Sequence, residues 1–330
     1  MAGHQGGPAV LHRYGARHGV ITKLDIESAA ERVADRVRVT PVIHTEAGAF
    51  GVAEPLALKL ELLQHTGSFK PRGVFNRILS AGAPKVGVIA ASGGNAGAAV
   101  AYAARELGLP AEIFVPEASS PVKVARLHSY GARVTVTGAY YADAYAASLR
   151  RAEETGALIV HAYDQPEVAA GQGTLGMELT EQLAGIDVVF VAVGGGGLLA
   201  GVATWLRGIA KVVAVEPQQC ASLATALKQA QAVDVPVGGI AADSLGARRI
   251  SARALEIARR DHIASVLVSD EAILRARKAL WDECRVAAEP GGATALAALT
   301  SGAYRILPGE RAAVIICGGN TDPGDLVERR

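Results

Sequence analysis

The sequence has little of what would place it in several large protein classes. Only three of its 330 residues are cysteines (Cys220, Cys284 and Cys317), and no two stand in a CxxC spacing. This argues against a disulfide framework and against a cysteine-based zinc site, and it fits a reducing cytoplasm. Excess charge is missing too: 33 basic residues against 32 acidic ones leave +1 at pH 7, with no strongly charged block. Neither nucleic acid nor an anionic membrane is implied as a partner. No apolar run approaches the length of a membrane helix. Residues 1–20 lack the apolar core of a signal peptide and are expected to form a mobile arm, with His4, His12 and His18 solvated. Repeats of solenoid period and low-complexity linkers are also missing.

What is present is an apolar chain with a regular alternation. Half of the residues are hydrophobic, and 330 residues are many for one core, so two subdomains are expected. Thr22-Lys23-Leu24-Asp25 reads as a capping box before a helix with Ile26, Ala29, Ala30 and Val33 on one face. Short β-rich runs follow at 56–60, 86–91, 113–115, 133–136 and 157–160, with helical stretches between them. Beyond Gly171-Gln172-Gly173-Thr174 the pattern resumes, with strands at 188–193, 212–215, 263–268 and 313–316. Strands alternating with helices make an α/β protein with mainly parallel sheets and covered faces.

In open α/β sheets ligands collect at the carboxyl ends of the strands. Four chemically distinctive segments stand there. Thr66-Gly67-Ser68-Phe69-Lys70-Pro71-Arg72-Gly73 sets a lysine between turn formers, with a helix expected from Val74; this suits a Schiff-base lysine, or an ordinary loop lysine. Gly194, Gly195, Gly196 and Gly197 at a helix start offer backbone N–H groups to an anion, without Cβ atoms to keep a phosphate away. Ser92-Gly93-Gly94-Asn95 suits a carboxylate or a phenolate oxygen, or a helix cap. Cys317 ends the last strand before Gly318-Gly319, where a small core residue would also serve. A rival reading uses Gly195-x-Gly197-x-x-Ala200 with Glu216 as a dinucleotide fingerprint, hence an NAD-dependent oxidoreductase. It leaves Lys70 and two polar loops unexplained, and its best acid–base candidate, His161, is more simply a structural hydrogen-bond former.

Taken together and in this order, the motifs resemble those of the fold type II pyridoxal-phosphate enzymes, and within them the serine/threonine dehydratase (ammonia-lyase) branch. Ser-Phe-Lys-Pro-Arg-Gly at 68–73 and Ser-Gly-Gly-Asn-Ala-Gly at 92–97 are followed by Gly-Gln-Gly-Thr at 171–174 and the four glycines at 194–197. Glu-Pro-Gly-Gly-Ala at 289–293 and Cys-Gly-Gly-Asn at 317–320 complete the set. The resemblance covers residues 20–325. It implies two open, mainly parallel twisted sheets flanked by helices, similar to the tryptophan synthase β chain. It also implies a large cofactor-binding domain (21–79 and 161–325), a small substrate-loop domain (80–160) and a homodimer.

Carried over by position, Lys70 would bind pyridoxal 5'-phosphate covalently and act as the catalytic base. Gly194, Gly195, Gly196, Gly197 and Leu198 would hold the phosphate, Asn95 the ring hydroxyl, Phe69 the ring face and Cys317 the pyridine nitrogen. A thiol of ordinary pKa is neutral at pH 7, which makes a weaker electron sink and favours prompt β-elimination. Ser92, Gly93, Gly94 and Asn95 would receive the substrate. The implied reaction converts L-threonine or L-serine to 2-oxobutanoate or pyruvate plus ammonia. The same resemblance keeps serine racemase and 3-hydroxyaspartate dehydratase as alternatives, although Gly93 stands where similar racemases carry a serine. Glu216 resembles a position that helps bind a monovalent or divalent cation in relatives, with Cys220 and Ser222 nearby.

Overall fold

The computed structural model describes residues 20–326, so the expected mobile arm lies outside the described residues except for Val20. In chain order the strands are β1 (Val42–His44), β2 (Leu56–Lys59), β3 (Val88–Ala91), β4 (Ala111–Val115) and β5 (Arg133–Val136). They continue with β6 (Leu158–Ile159), β7 (Val188–Ala192), β8 (Lys211–Pro217), β9 (Ala264–Val268) and β10 (Ala312–Ile315). A six-stranded sheet has the order β1-β2-β10-β7-β8-β9, and a four-stranded sheet the order β5-β4-β3-β6. Every pairing is parallel except β1 with β2.

The central strands are the continuous apolar runs of the sequence. Val188-Val189-Phe190-Val191-Ala192 is buried along its whole length, as β2, β3 and β10 are, because helices cover both faces. The unanticipated strand is β1. Three half-exposed residues carry no readable period, and the segment becomes a strand only by pairing antiparallel at the sheet edge. The first helix, Lys23–Val33, begins as expected: Thr22 accepts from the Asp25 N–H, and the Asp25 carboxylate accepts from the Thr22 N–H at 2.8 Å.

The Gly171–Thr174 segment lies inside helix Pro166–Gln182. A Cβ at Gly171 would fall 2.5 Å from the Arg72 carbonyl oxygen, and one at Gly173 2.6 Å from Ile26. Gly171 lets this helix cross helix Lys70–Ser80 at backbone distance, and Gly173 makes room for the Ile26 side chain of the first helix. The close packing offsets about 1 kcal/mol of lost helix propensity per glycine.

Beneath that crossing lies a buried charge network. Arg72 pairs with Glu61 and, at 2.8 Å, with Glu178, while Lys59 pairs with Glu178 and donates to the Thr40 carbonyl at 2.8 Å. Two cations and two carboxylates thereby lock the start of helix Lys70–Ser80 to the end of β2 and to helix Pro166–Gln182.

Candidate active site

After β2 the chain makes two tight 3-10 turns, Glu61–Leu63 and His65–Gly67, with Thr66 and Gly67 both in the left-handed region (φ 59 and 71). Ser68 then bridges to Gly318, and the Phe69 N–H donates to the Cys317 carbonyl at 3.1 Å. Lys70 is therefore not a loop residue. It is the first residue of its helix, which starts four positions before Val74, because Pro71 sits comfortably where no N–H partner is needed. The Lys70 ammonium donates to the Ala162 carbonyl at 2.8 Å and lies 4.9 Å from the centre of the Phe69 ring. Lys70 as a whole is half-buried, but its ammonium is enclosed, and burial pushes its pKa down to about 8. At pH 7 about a tenth is then the nucleophilic free amine, far more than for an ordinary lysine.

β7 runs into Gly194, Gly195 and Gly196, and helix Gly197–Leu206 opens directly after them. Gly196 has φ +89, and the first N–H groups of the helix have no carbonyl partner within it. A Cβ at Gly195 would enter the Tyr163 ring at 2.4 Å, and one at Gly196 would meet the Ala254 Cβ at 2.4 Å. Tyr163 and its neighbour Ala162 join the two distant motifs: Ala162 accepts from Lys70 while Tyr163 packs on Gly195 and Gly197. Sequence reading missed this bridge, since neither residue type signals a site.

His161, just before it, accepts at Nδ1 from the N–H groups of Tyr163 (3.2 Å) and Asp164 (2.9 Å). Burial pushes its pKa down to about 4, so it is a neutral shaper of this turn. Gly196→Ala should weaken binding of pyridoxal 5'-phosphate by about 10- to 100-fold, through a left-handed alanine and the clash with Ala254. Fluorescence titration of the apoprotein measures it, and unchanged affinity would remove the glycine loop from the site.

Ser92 follows β3, and its hydroxyl accepts from the Gly94 N–H at 3.3 Å. Asn95 opens helix Asn95–Glu106; its Nδ2 donates to Glu289 Oε1 at 2.7 Å, and its Oδ1 accepts from Asn320 Nδ2 at 2.6 Å. Asn320 also donates to the Thr66 carbonyl at 2.9 Å. The segments around 66, 95, 289 and 320 are thus tied by one chain of hydrogen bonds beside a cavity of about 540 Å³ that Gly93, Gly94 and Asn95 line. Glu289 stood in the sequence as the first residue of the Glu-Pro-Gly-Gly-Ala motif, with no role assigned to it. Burial lifts its pKa to about 7. Burial, then the Glu289 charge, pushes the Cys317 thiol up to about 12, so the thiol stays protonated; its Sγ lies 3.5 Å from the Gly291 carbonyl oxygen.

Glu216 stands apart from that cavity. It is fully buried, with Oε1 accepting from the Leu223 N–H at 2.7 Å and Oε2 from the Ala224 N–H at 2.8 Å. The Ser222 and Ser265 hydroxyls also reach it, and burial raises its pKa to about 7. The carboxylate caps helix Ser222–Gln229, which leaves it unavailable to a ribose. The Cys220 thiol is turned to the Gly238 carbonyl, and the cation position implied by the resemblance would use the Cys220 backbone carbonyl instead. Among the described residues no group of three or more His, Cys, Asp or Glu could hold a metal.

A family model described as pyridoxal-phosphate dependent enzyme matches residues 33–318. The chain belongs to this family. An L-threonine ammonia-lyase of Geobacter sulfurreducens is 38% identical over 302 residues, covering 90% of this chain and 75% of that protein. A solved threonine deaminase of T.th. is 34% identical with a TM-score of 0.85, covering 92% of this chain and 99% of the other. Maize serine racemase superposes with a TM-score of 0.87 at 31% identity, covering 93% and 96%. The expected fold type II architecture is therefore the observed one, and the cofactor is pyridoxal phosphate. The residues present fit that group: a buried amine for its aldehyde, and a glycine-lined helix end for its phosphate.

Proposed function

We propose that the chain eliminates water from a small β-hydroxy amino acid, L-threonine or L-serine, giving 2-oxobutanoate or pyruvate plus ammonia. The observation that carries this reading is Lys70, an amine with a lowered pKa that the Ala162–Tyr163 turn links to the glycine loop. Bound pyridoxal phosphate supplies an aldehyde for the substrate's amino group and a ring that withdraws electrons from the α-carbon. Lys70, as the free amine, would take the α-proton, and that proton, passed on to the departing β-hydroxyl, lets it leave as water and returns Lys70 to the free amine. Water subsequently hydrolyses the released enamine, so the net products are a 2-oxo acid and ammonia.

The other roles follow the positions. The N–H groups of the 92–95 loop hold the α-carboxylate, and Gly194 to Leu198 hold the phosphate. Asn95 meets the ring hydroxyl, its amide oriented by Glu289 and Asn320. Phe69 lies against the ring, and the neutral Cys317 thiol faces its nitrogen. The similarity to an L-threonine ammonia-lyase supports the reaction class. Incubating the purified protein with L-threonine and with L-serine tests it: 2-oxo acid and ammonia in equal amounts are expected, and their absence with both would overturn the reading.

Likeness to serine racemase favours one alternative, which Gly93 argues against because glycine has no proton to deliver. A Cβ at Gly93 would lie 3.3 Å from the Ser119 hydroxyl and 3.6 Å from Val115, tight but open to a small side chain. Gly93→Ser should raise D-serine formation from L-serine at least about tenfold relative to elimination. Chiral chromatography reads the ratio, and wild-type D-product at a rate matching elimination would sink the argument.

We further propose the large and small domains at 21–79 with 161–325 and at 80–160, a homodimer, and a cytoplasmic setting. The two separate sheets support the domain division, the three free cysteines fit the setting, and the homodimer rests on the family resemblance alone. Among the described residues no helix is long and apolar enough to cross a membrane.

A further inference from the structure

The cavity beside the 92–95 loop is lined by five ionisable side chains: Lys123, Arg126, Asp243, Glu289 and Asp322. Four of them are already engaged. Lys123 and Asp243 form an ion pair across the cavity. Glu289 accepts from Asn95, and Asp322 is turned to its own loop, accepting from the Gly324 N–H at 2.8 Å. Arg126, on helix Pro121–Ser129, donates to the Thr66 carbonyl at 2.6 Å, and among the described residues no carboxylate lies within ion-pairing distance of it. Glu289 is the acid whose charge feels Arg126, and with a pKa near 7 it is only partly ionised at neutral pH. A half-buried guanidinium thus faces the substrate cavity with most of its donors uncommitted. Thr66 lies four residues before Lys70, and its carbonyl accepts from both Arg126 and Asn320, which is itself bonded to Asn95.

We propose that Arg126 is a specificity-determining residue that binds a carboxylate of the substrate. A planar guanidinium suits this ligand because it can donate two parallel N–H bonds to both carboxylate oxygens. The inference rests on the dehydratase reading and names what that site selects. The carboxylate is either the α-carboxylate, which Arg126 would share with the 92–95 loop, or a second one carried on the β-carbon, as in 3-hydroxyaspartate. Removing Arg126 leaves the Thr66 carbonyl bonded to Asn320, so no buried acceptor is stranded.

The test compares wild-type holoenzyme with Arg126→Met and Arg126→Lys, using L-threonine and L-threo-3-hydroxyaspartate. A parallel equilibrium titration follows the cofactor's visible absorbance with succinate and with propionate. Arg126→Met should raise KM about 10- to 100-fold, with kcat changed only a few-fold and part of the loss recovered in Arg126→Lys. Loss for both substrates and both acids assigns the α-carboxylate; loss confined to 3-hydroxyaspartate and succinate assigns the second one. Unchanged KM for both substrates together with unchanged binding of both acids overturns the proposal. A wild-type enzyme that dehydrates neither of these substrates nor L-serine overturns the dehydratase reading instead, and the acid titrations then decide the role of Arg126 alone.

Discussion

Replacing Lys70 by alanine should lower turnover by roughly 10⁴-fold or more, since the covalent anchor and the base are lost together. The fold should survive, because the Lys70 ammonium makes one hydrogen bond, to the Ala162 carbonyl, and no ion pair. The visible band of the lysine-linked cofactor should vanish as well, while the glycine loop still retains the phosphate end noncovalently. The pH dependence has a definite sign. Burial lowers the Lys70 pKa from 10.5 to about 8, so the neutral amine grows as pH rises through 8. Covalent uptake of pyridoxal phosphate by the wild-type apoprotein should speed up over that window, and stopped-flow absorbance follows it. Turnover in Lys70→Ala within tenfold of wild type would move the chemistry to another residue.

The second large effect falls on stability. Arg72→Met should destabilise the protein by about 3–5 kcal/mol, because Glu61 and Glu178 lose the guanidinium both share, leaving one excess negative charge inside. Lys59 still faces Glu178, but it cannot reach around to replace the paired bonds Arg72 makes with Glu61. Arg72→Lys should cost less than Arg72→Met. Urea unfolding of the apoprotein measures both, with a lower midpoint and an unchanged slope expected. A loss below about 1 kcal/mol would show that the interior rearranges around the missing cation.

The sequence makes the architecture readable where a single physical signal dominates. Val188 to Ala192 and Val88 to Ala91 are apolar runs too short for helices, and both are buried strands. The Thr22–Asp25 capping box carries its own mechanism. The features left unassigned are those decided by tertiary packing. Val42–His44 is a strand only because β2 offers an edge, and the purpose of Gly171 and Gly173 inside a helix shows only in what packs against them. At the site, residues with an unusual local pattern were legible: Lys70, the four glycines, Asn95 and Cys317. Ala162, Tyr163 and Arg126 were not, since a carbonyl, an aromatic ring and a surface-patterned helix acquire meaning only from what stands opposite. As the acid of a dinucleotide fingerprint, Glu216 failed in the other direction. Its position at a strand end suggested a ligand, whereas the following helix turns its N–H groups onto the carboxylate.

The visible absorption spectrum of the purified protein, recorded before and after adding L-threonine, tests the central claim most directly. A band that shifts on addition, decays with release of 2-oxobutanoate and is missing in Lys70→Ala is the expected result. A wild-type protein that stays colourless after incubation with pyridoxal phosphate, or a band that L-threonine and L-serine both leave unmoved, would contradict the account.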